Sequence, residues 1–234
     1  MANISINKGW FNRMNGTSAV NKMTYLQLLE ELRSIRYEEY YSSIGGNDAR
    51  DERVERGPFP HFVKVFYDQF TMSGHIPTPK MVCEAYHELY CEDIGDGYSR
   101  LMANGFSFHR NDLYGRITRA YCSWCRELTL LYALFETLHF GYVAYYDLSK
   151  DMKGVDIVIV HGKHRYNVHS YLRSKRSEMY RAEKDSRYEK ADGIHFEVVA
   201  SELNTTRVGD INVHGKDNAL WLLGHIQHIE NQVG

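Results

Sequence analysis

The sequence predicts an α+β protein, a mainly helical N-terminal region followed by a mixed central sheet with flanking helices. Three observations carry this reading. Apolar residues recur at helical spacing through much of the chain up to Leu138. After Phe140 the pattern changes to short apolar or alternating runs rich in β-branched and aromatic residues. From residue 112 onward the elements read helix, strand, strand, strand, helix, strand.

Each element has its own justification. The stretch MANISINKGWFNRMNG is polar and rich in Gly and Asn, so it reads as a loose arm. A helix is predicted from Met23 to Tyr41, with Leu26, Leu29, Leu32 and Tyr40 repeating along it. IGGNDARDERVERGPFP, with glycines and charges of both signs, reads as an exposed loop. A second helix covers Phe62 to Phe70. Thr78 then serves as an N-cap with Pro79 at the first helical position, and that helix runs to about Glu92. Gly95 and Gly97 close the region. The longest helical pattern is 116–138, with Ile117, Tyr121, Trp124, Leu128 and Leu131 on its apolar face. GYVAYYDL is a strand, KDMKG a tight turn, VDIVIV a buried central strand, HGKH a polar turn and RYNVHSYL an alternating strand. SKRSEMYRAEKDSRYEK is a polar helix ended by Asp192-Gly193, IHFEVVA a fourth strand, and Asn218 to Asn231 a final helix.

Bulk properties bound the function. At 234 residues the chain is long enough for a real core without disulfides, and 43% hydrophobic content with 25% charge is ordinary for a globular protein. A formal net charge of -2 excludes whole-surface nucleic-acid binding of the histone kind and leaves room for a local basic patch. The 18 tyrosines read first as core and surface filler, and second as residues suited to wet interfaces. With no apolar run of membrane-spanning length and no signal-peptide pattern, the expected location is cytoplasmic, with no membrane partner. Cys83, Cys91, Cys122 and Cys125 are then expected as reduced thiols. Cys122 and Cys125 have the spacing of half a zinc site, but no second pair completes it, and they lie in a helical pattern. They read as small buried apolar residues.

Hydrolysis of a phosphodiester with metal assistance needs carboxylates that converge on a hard cation. Gly154-Val155-Asp156 sets an acid at the start of an apolar strand, where it is costly unless used or paired, although an Asp after Gly is also an ordinary turn residue. Glu127 on the preceding helix can face it. Asp147 and Asp151 read as turn acids. The order of elements and the GVDIVIV strand resemble the PD-(D/E)xK nuclease superfamily over about residues 112 to 200. The resemblance implies a restriction-endonuclease-like αβββαβ core over 111–202, after a mainly helical region 1–110 and before a C-terminal helix in 203–234. It implies Mg²⁺ or Mn²⁺ as cofactor, Asp156 as the strand acid and Glu127 as the helical acid. The family's (D/E)xK element is degenerate here, with His169-Ser170-Tyr171 in its place. His169 then stands as the third metal-ligand candidate, and Lys175 or Lys184 as a migrated lysine.

A second constellation is basic. Between His161 and Lys190 nine Lys/Arg face four acids. Arg173, Ser177, Arg181 and Lys184 fall on one helical stripe, and Ser174 joins Ser177 at the helix start, where phosphate binds well. Arg116, Arg119 and Ser123 offer a second phosphate-binding wall. The same helix also reads as a solvated charged face. The expectation is a metal-dependent nuclease-like protein acting on DNA or RNA, in phage or bacterial DNA processing or defence. The alternative is a non-catalytic nuclease-like fold that binds nucleic acid, a nucleotide or a protein. A nucleotide-handling enzyme such as an ADP-ribosyl transferase rests on His161-Gly162 alone. Nucleic acid or nucleotide, and a second copy of the chain in a homodimer, are the expected partners.

Overall fold

The computed structural model describes residues 23–138, 141–151, 154–172, 192–200 and 205–233. The fold is mixed α and β, as expected. The described residues divide into two compact units, one drawn from 1–29, 125–208 and 212–234 and the other from 30–124 with 209–211.

The second of these units opens with the latter half of α1 (Tyr25–Ser34), followed by α2 (Tyr37–Ser43) and the short α3 (Glu52–Glu55). The single helix expected over 23–41 is thus broken at Ile35-Arg36, and the break brings Tyr37 into the core, stacked on Tyr121 at 6.4 Å. The buried stripe of α1 is Tyr25, Leu28 and Leu32, continued by Ile35 just past its end, while Leu26 is 64% exposed. The segment 44–60 is not the exposed loop expected, because Val54 within α3 and Ala49 before it are buried. Next come α4 (Phe62–Ser73) and α5 (Pro79–Tyr90), the latter capped by Thr78 as its sequence predicts.

A three-stranded antiparallel meander follows, β1 (Cys91–Gly95), β2 (Tyr98–Leu101) and β3 (Ser107–His109). No alternating run in the sequence marks these strands. Gly95 and Gly97 do not end a helical region; they turn a hairpin, both at positive φ. The long helix α6 (Arg110–Thr137) starts six residues earlier than expected, directly from β3, and its residues from Cys125 on belong to the other unit. From Glu127 to Leu134 it is buried on every side.

The other unit is built on a four-stranded sheet of β4 (Tyr142–Tyr145), β5 (Ile157–His161), β6 (His164–Leu172) and β7 (Ile194–Ala200), in that order. The first three are antiparallel, and β7 runs parallel to β6. VDIVIV and RYNVHSYL are therefore the two inner strands. Ile157, Val158 and Ile159 are all buried, which explains why β5 lacks alternation. Between β4 and β5 the expected tight turn is a short helix, α7 (Leu148–Asp151). A hairpin the sequence reading missed, β8 (Thr205–Val208) with β9 (Ile211–His214), precedes α8 (Lys216–Val233). The basic helix predicted between β6 and β7 lies outside the described residues.

Candidate metal centre

The turn from α7 into β5 carries two acids. Gly154 has φ +76, its N–H donates to the Asp151 carbonyl at 2.7 Å, and the Val155 N–H donates to the Lys150 carbonyl at 3.0 Å. This is the paired bonding of a Schellman cap, which needs a left-handed residue and favours Gly there. The cap folds Asp151 back toward Asp156. Glu127 arrives from the fully buried stretch of α6. One carboxylate oxygen each of Glu127, Asp151 and Asp156 lies within 4.8 Å of the others, an arrangement that can hold a metal ion. Glu127 is 6% exposed and the two aspartates are half-buried. Unit negative charges this close repel by roughly 3 kcal/mol at an effective dielectric of about 20. A divalent cation offsets that repulsion, and an all-oxygen donor set suits a hard one.

Asp156 is gripped from β6. Its N–H donates to the Val168 carbonyl at 3.0 Å, and its Oδ2 accepts the Ser170 N–H at 2.5 Å. Ser170 Oγ in turn lies 2.8 Å from His214 Nε2 at the end of β9. His214 is fully buried, and burial, with the positive charge of Arg126 adding to it, pushes its pKa down to about 4. The imidazole at Ser170 is thus neutral at physiological pH.

The sequence candidates fare differently. Glu127 and Asp156 are brought together. Asp151, read as a turn acid, joins them, and the signal that could have found it was a glycine placed to cap a short helix. His169 is not in the carboxylate cluster. Its Nδ1 lies 2.6 Å from the Gly154 carbonyl and its Nε2 2.8 Å from His195 Nδ1. Arg119 bonds the Ala49 carbonyl at 3.0 Å and pairs with Glu55. Arg116 bonds the Val54 carbonyl and lies 5.0 Å over the Phe62 ring, and Ser123 bonds the Ala120 carbonyl at 2.6 Å. The two arginines tie α6 to residues 49–62 of the same unit, and the Ser123 bond stays within its own helix. Arg173, Ser174, Lys175, Ser177, Arg181 and Lys184 lie outside the described residues. The four cysteines are free thiols, with Cys83, Cys91 and Cys125 buried.

Comparison with known proteins gives no further anchor. No family model, curated protein or solved structure matches this chain. Among the described residues no helix is long and apolar enough to cross a membrane.

The other unit holds a Ser–His–Asp set that sequence reading passed over. His87 Nε2 lies 2.8 Å from Ser99 Oγ, and that hydroxyl donates to Asp93 Oδ1 at 3.0 Å. A nucleophilic triad needs the acid on the far imidazole nitrogen. Here acid and imidazole converge on the same hydroxyl, and Ser99 is fully buried. Arg110 also pairs with Asp93, so the set acts as a structural knot.

Proposed function

We propose that this chain is a nuclease-like protein that acts on phosphodiesters of DNA or RNA with Mg²⁺ or Mn²⁺ held by Glu127, Asp151 and Asp156. The observation that carries the reading is the convergence of those three carboxylates where helix α6 meets the turn into β5. An oxygen-only set favours Mg²⁺ or Mn²⁺ over softer metals. When bound, such a cation supplies a Lewis acid that offsets charge at phosphorus and acidifies water. The chain's own residues orient the set: the Ser170 N–H fixes one carboxylate oxygen of Asp156, and the Schellman cap sets where Asp151 points. Phosphate recognition falls to Arg173, Ser174, Ser177, Arg181 and Lys184, with Lys175 as the candidate catalytic cation. The PD-(D/E)xK resemblance, a cytoplasmic setting and a role in phage or bacterial DNA processing or defence are parts of the same proposal.

One observation favours the alternative of a non-catalytic binding module. Tyr171 stands where the family has its lysine, and a phenol supplies no positive charge. The test is incubation of the protein with single- and double-stranded DNA and RNA, with Mg²⁺ or Mn²⁺ and with EDTA. Cleavage that requires the cation is expected. Cation binding without cleavage of any substrate would turn the reading to the binding module, and no cation binding at all would end it.

A further inference from the structure

We propose that His169 is a positioning residue of the carboxylate cluster, acting through the Gly154 carbonyl rather than as a ligand; the proposal rests on the metal reading above. Gly154 sits between Asp151 and Asp156, and its carbonyl can only accept. The 2.6 Å contact with His169 Nδ1 therefore puts the proton on Nδ1 and leaves Nε2 an acceptor. The His195 Nδ1–H then donates to that Nε2 at 2.8 Å. His195 Nε2, an acceptor by the same logic, lies 3.3 Å from Asn167 Nδ2. The second N–H of that amide donates to the Asp192 carbonyl at 3.0 Å. One assignment of protons satisfies every link. The rings of His169 and His195 are nearly parallel, 5.1 Å apart.

Val168, His169 and Ser170 thus hold three successive handles of the acid-bearing turn. Val168 takes the Asp156 N–H, His169 the Gly154 carbonyl, and Ser170 the Asp156 carboxylate. Coordination to a cation such as Mg²⁺ tolerates only a few tenths of an ångström, so a turn free to swing would spread the carboxylates apart. His169 stands at the place where the resemblance expects an acid, and it serves the same cation from behind the turn.

The test separates the two ring nitrogens. His169→Asn keeps a donor near the Nδ1 position, His169→Gln puts an amide near Nε2, and His169→Ala keeps neither. Mn²⁺ dissociation constants are measured by calorimetry, alongside hydrogen exchange of the 151–156 amides without metal. Ala and Gln are expected to lose about 10–100-fold in Mn²⁺ affinity and to exchange faster in the turn. Asn is expected to stay within about threefold of wild type on that scale. Retention by Gln with loss by Asn would make Nε2 the working atom, and wild-type behaviour of all three would remove any role; either overturns the proposal. If wild type and Asp156→Asn both fail to bind Mn²⁺, the metal reading fails by itself. The exchange data then decide alone: faster exchange in Gln but not Asn upholds His169 as the anchor of the turn, and equal rates overturn it. Should the alanine variant not fold, the Asn and Gln pair carries the comparison.

Discussion

Asp156 uses its N–H to pair with β6 and its carboxylate to accept a second backbone bond, so Asp156→Asn should keep the strand in place while removing a charge. On the proposed nuclease function, cation-dependent cleavage should then fall by more than the roughly 10–100-fold typical of losing a group behind a ligand. Nucleic-acid binding should survive or tighten, because one repulsion with phosphate disappears. Gel-shift and cleavage assays on one preparation check both arms. His214 makes a separate prediction. Its folded pKa of about 4 lies below the unfolded value near 6.5, so the neutral ring contributes stability that is full above about pH 6.5. As pH falls from there toward about 4, roughly 3 kcal/mol should be lost, and His214→Gln should flatten the dependence. Urea unfolding of both proteins across that pH range measures the difference. At this scale Asp156 is conspicuous in the sequence as an acid opening an apolar strand, whereas Glu127 is one of several charged residues on its helix and was a candidate only through that helix's place before the strand and the resemblance. The sequence did not show Asp151, whose place depends on a cap, nor that His169 would turn toward Gly154 and His195.

The elements were legible where a pattern ran long enough to average. Helix α6, strands β5 to β7 and the capped start of α5 stand close to where periodicity and Thr78-Pro79 put them. The β1–β3 meander and the β8–β9 hairpin were not, since strands of three to five residues show little alternation and their stability comes from tertiary neighbours. Helix α8 shows such a tertiary device. Its Glu230 accepts from Tyr166 Oη at 2.6 Å, from His161 Nδ1 at 2.8 Å and from Tyr142 Oη, so one carboxylate joins α8 to three strands. Burial alone would raise the Glu230 pKa, but the three donors outweigh it and hold the pKa below the ordinary range. The clamp's stability is therefore present above the usual glutamate range and lost as pH falls through the depressed value. Glu230→Gln should cost about 1–3 kcal/mol at neutral pH and speed hydrogen exchange in the last turns of α8. Unchanged exchange there would mean that apolar burial of Leu222 and Ile226 alone holds the helix.

For the whole molecule, a net charge of -2 means that the nucleic-acid binding proposed above would rest on local basic residues. Replacing Arg173, Arg181 and Lys184 with Ala should weaken binding for all sequences alike and flatten the salt dependence by about one unit of slope for each phosphate no longer neutralised. Filter binding between low and moderate salt reads that slope, and an unchanged slope would return the segment to a solvated face. The carboxylate cluster has a consequence for the molecule's lifetime. Glu127 comes from a helix more than twenty residues before the turn that carries Asp151 and Asp156 and meets them only when the chain is folded, so a cation held by all three binds the native state and not the unfolded one. By mass action each tenfold rise in free Mn²⁺ above its dissociation constant should then add about 1.4 kcal/mol to stability. For a chain of this size that is a rise of about 3–6 °C in Tm. Asp156→Asn should abolish the increment in a thermal melt. Divalent-ion supply would thereby set how long each folded copy survives proteolysis, and chelation would shorten that lifetime as well as silence the site.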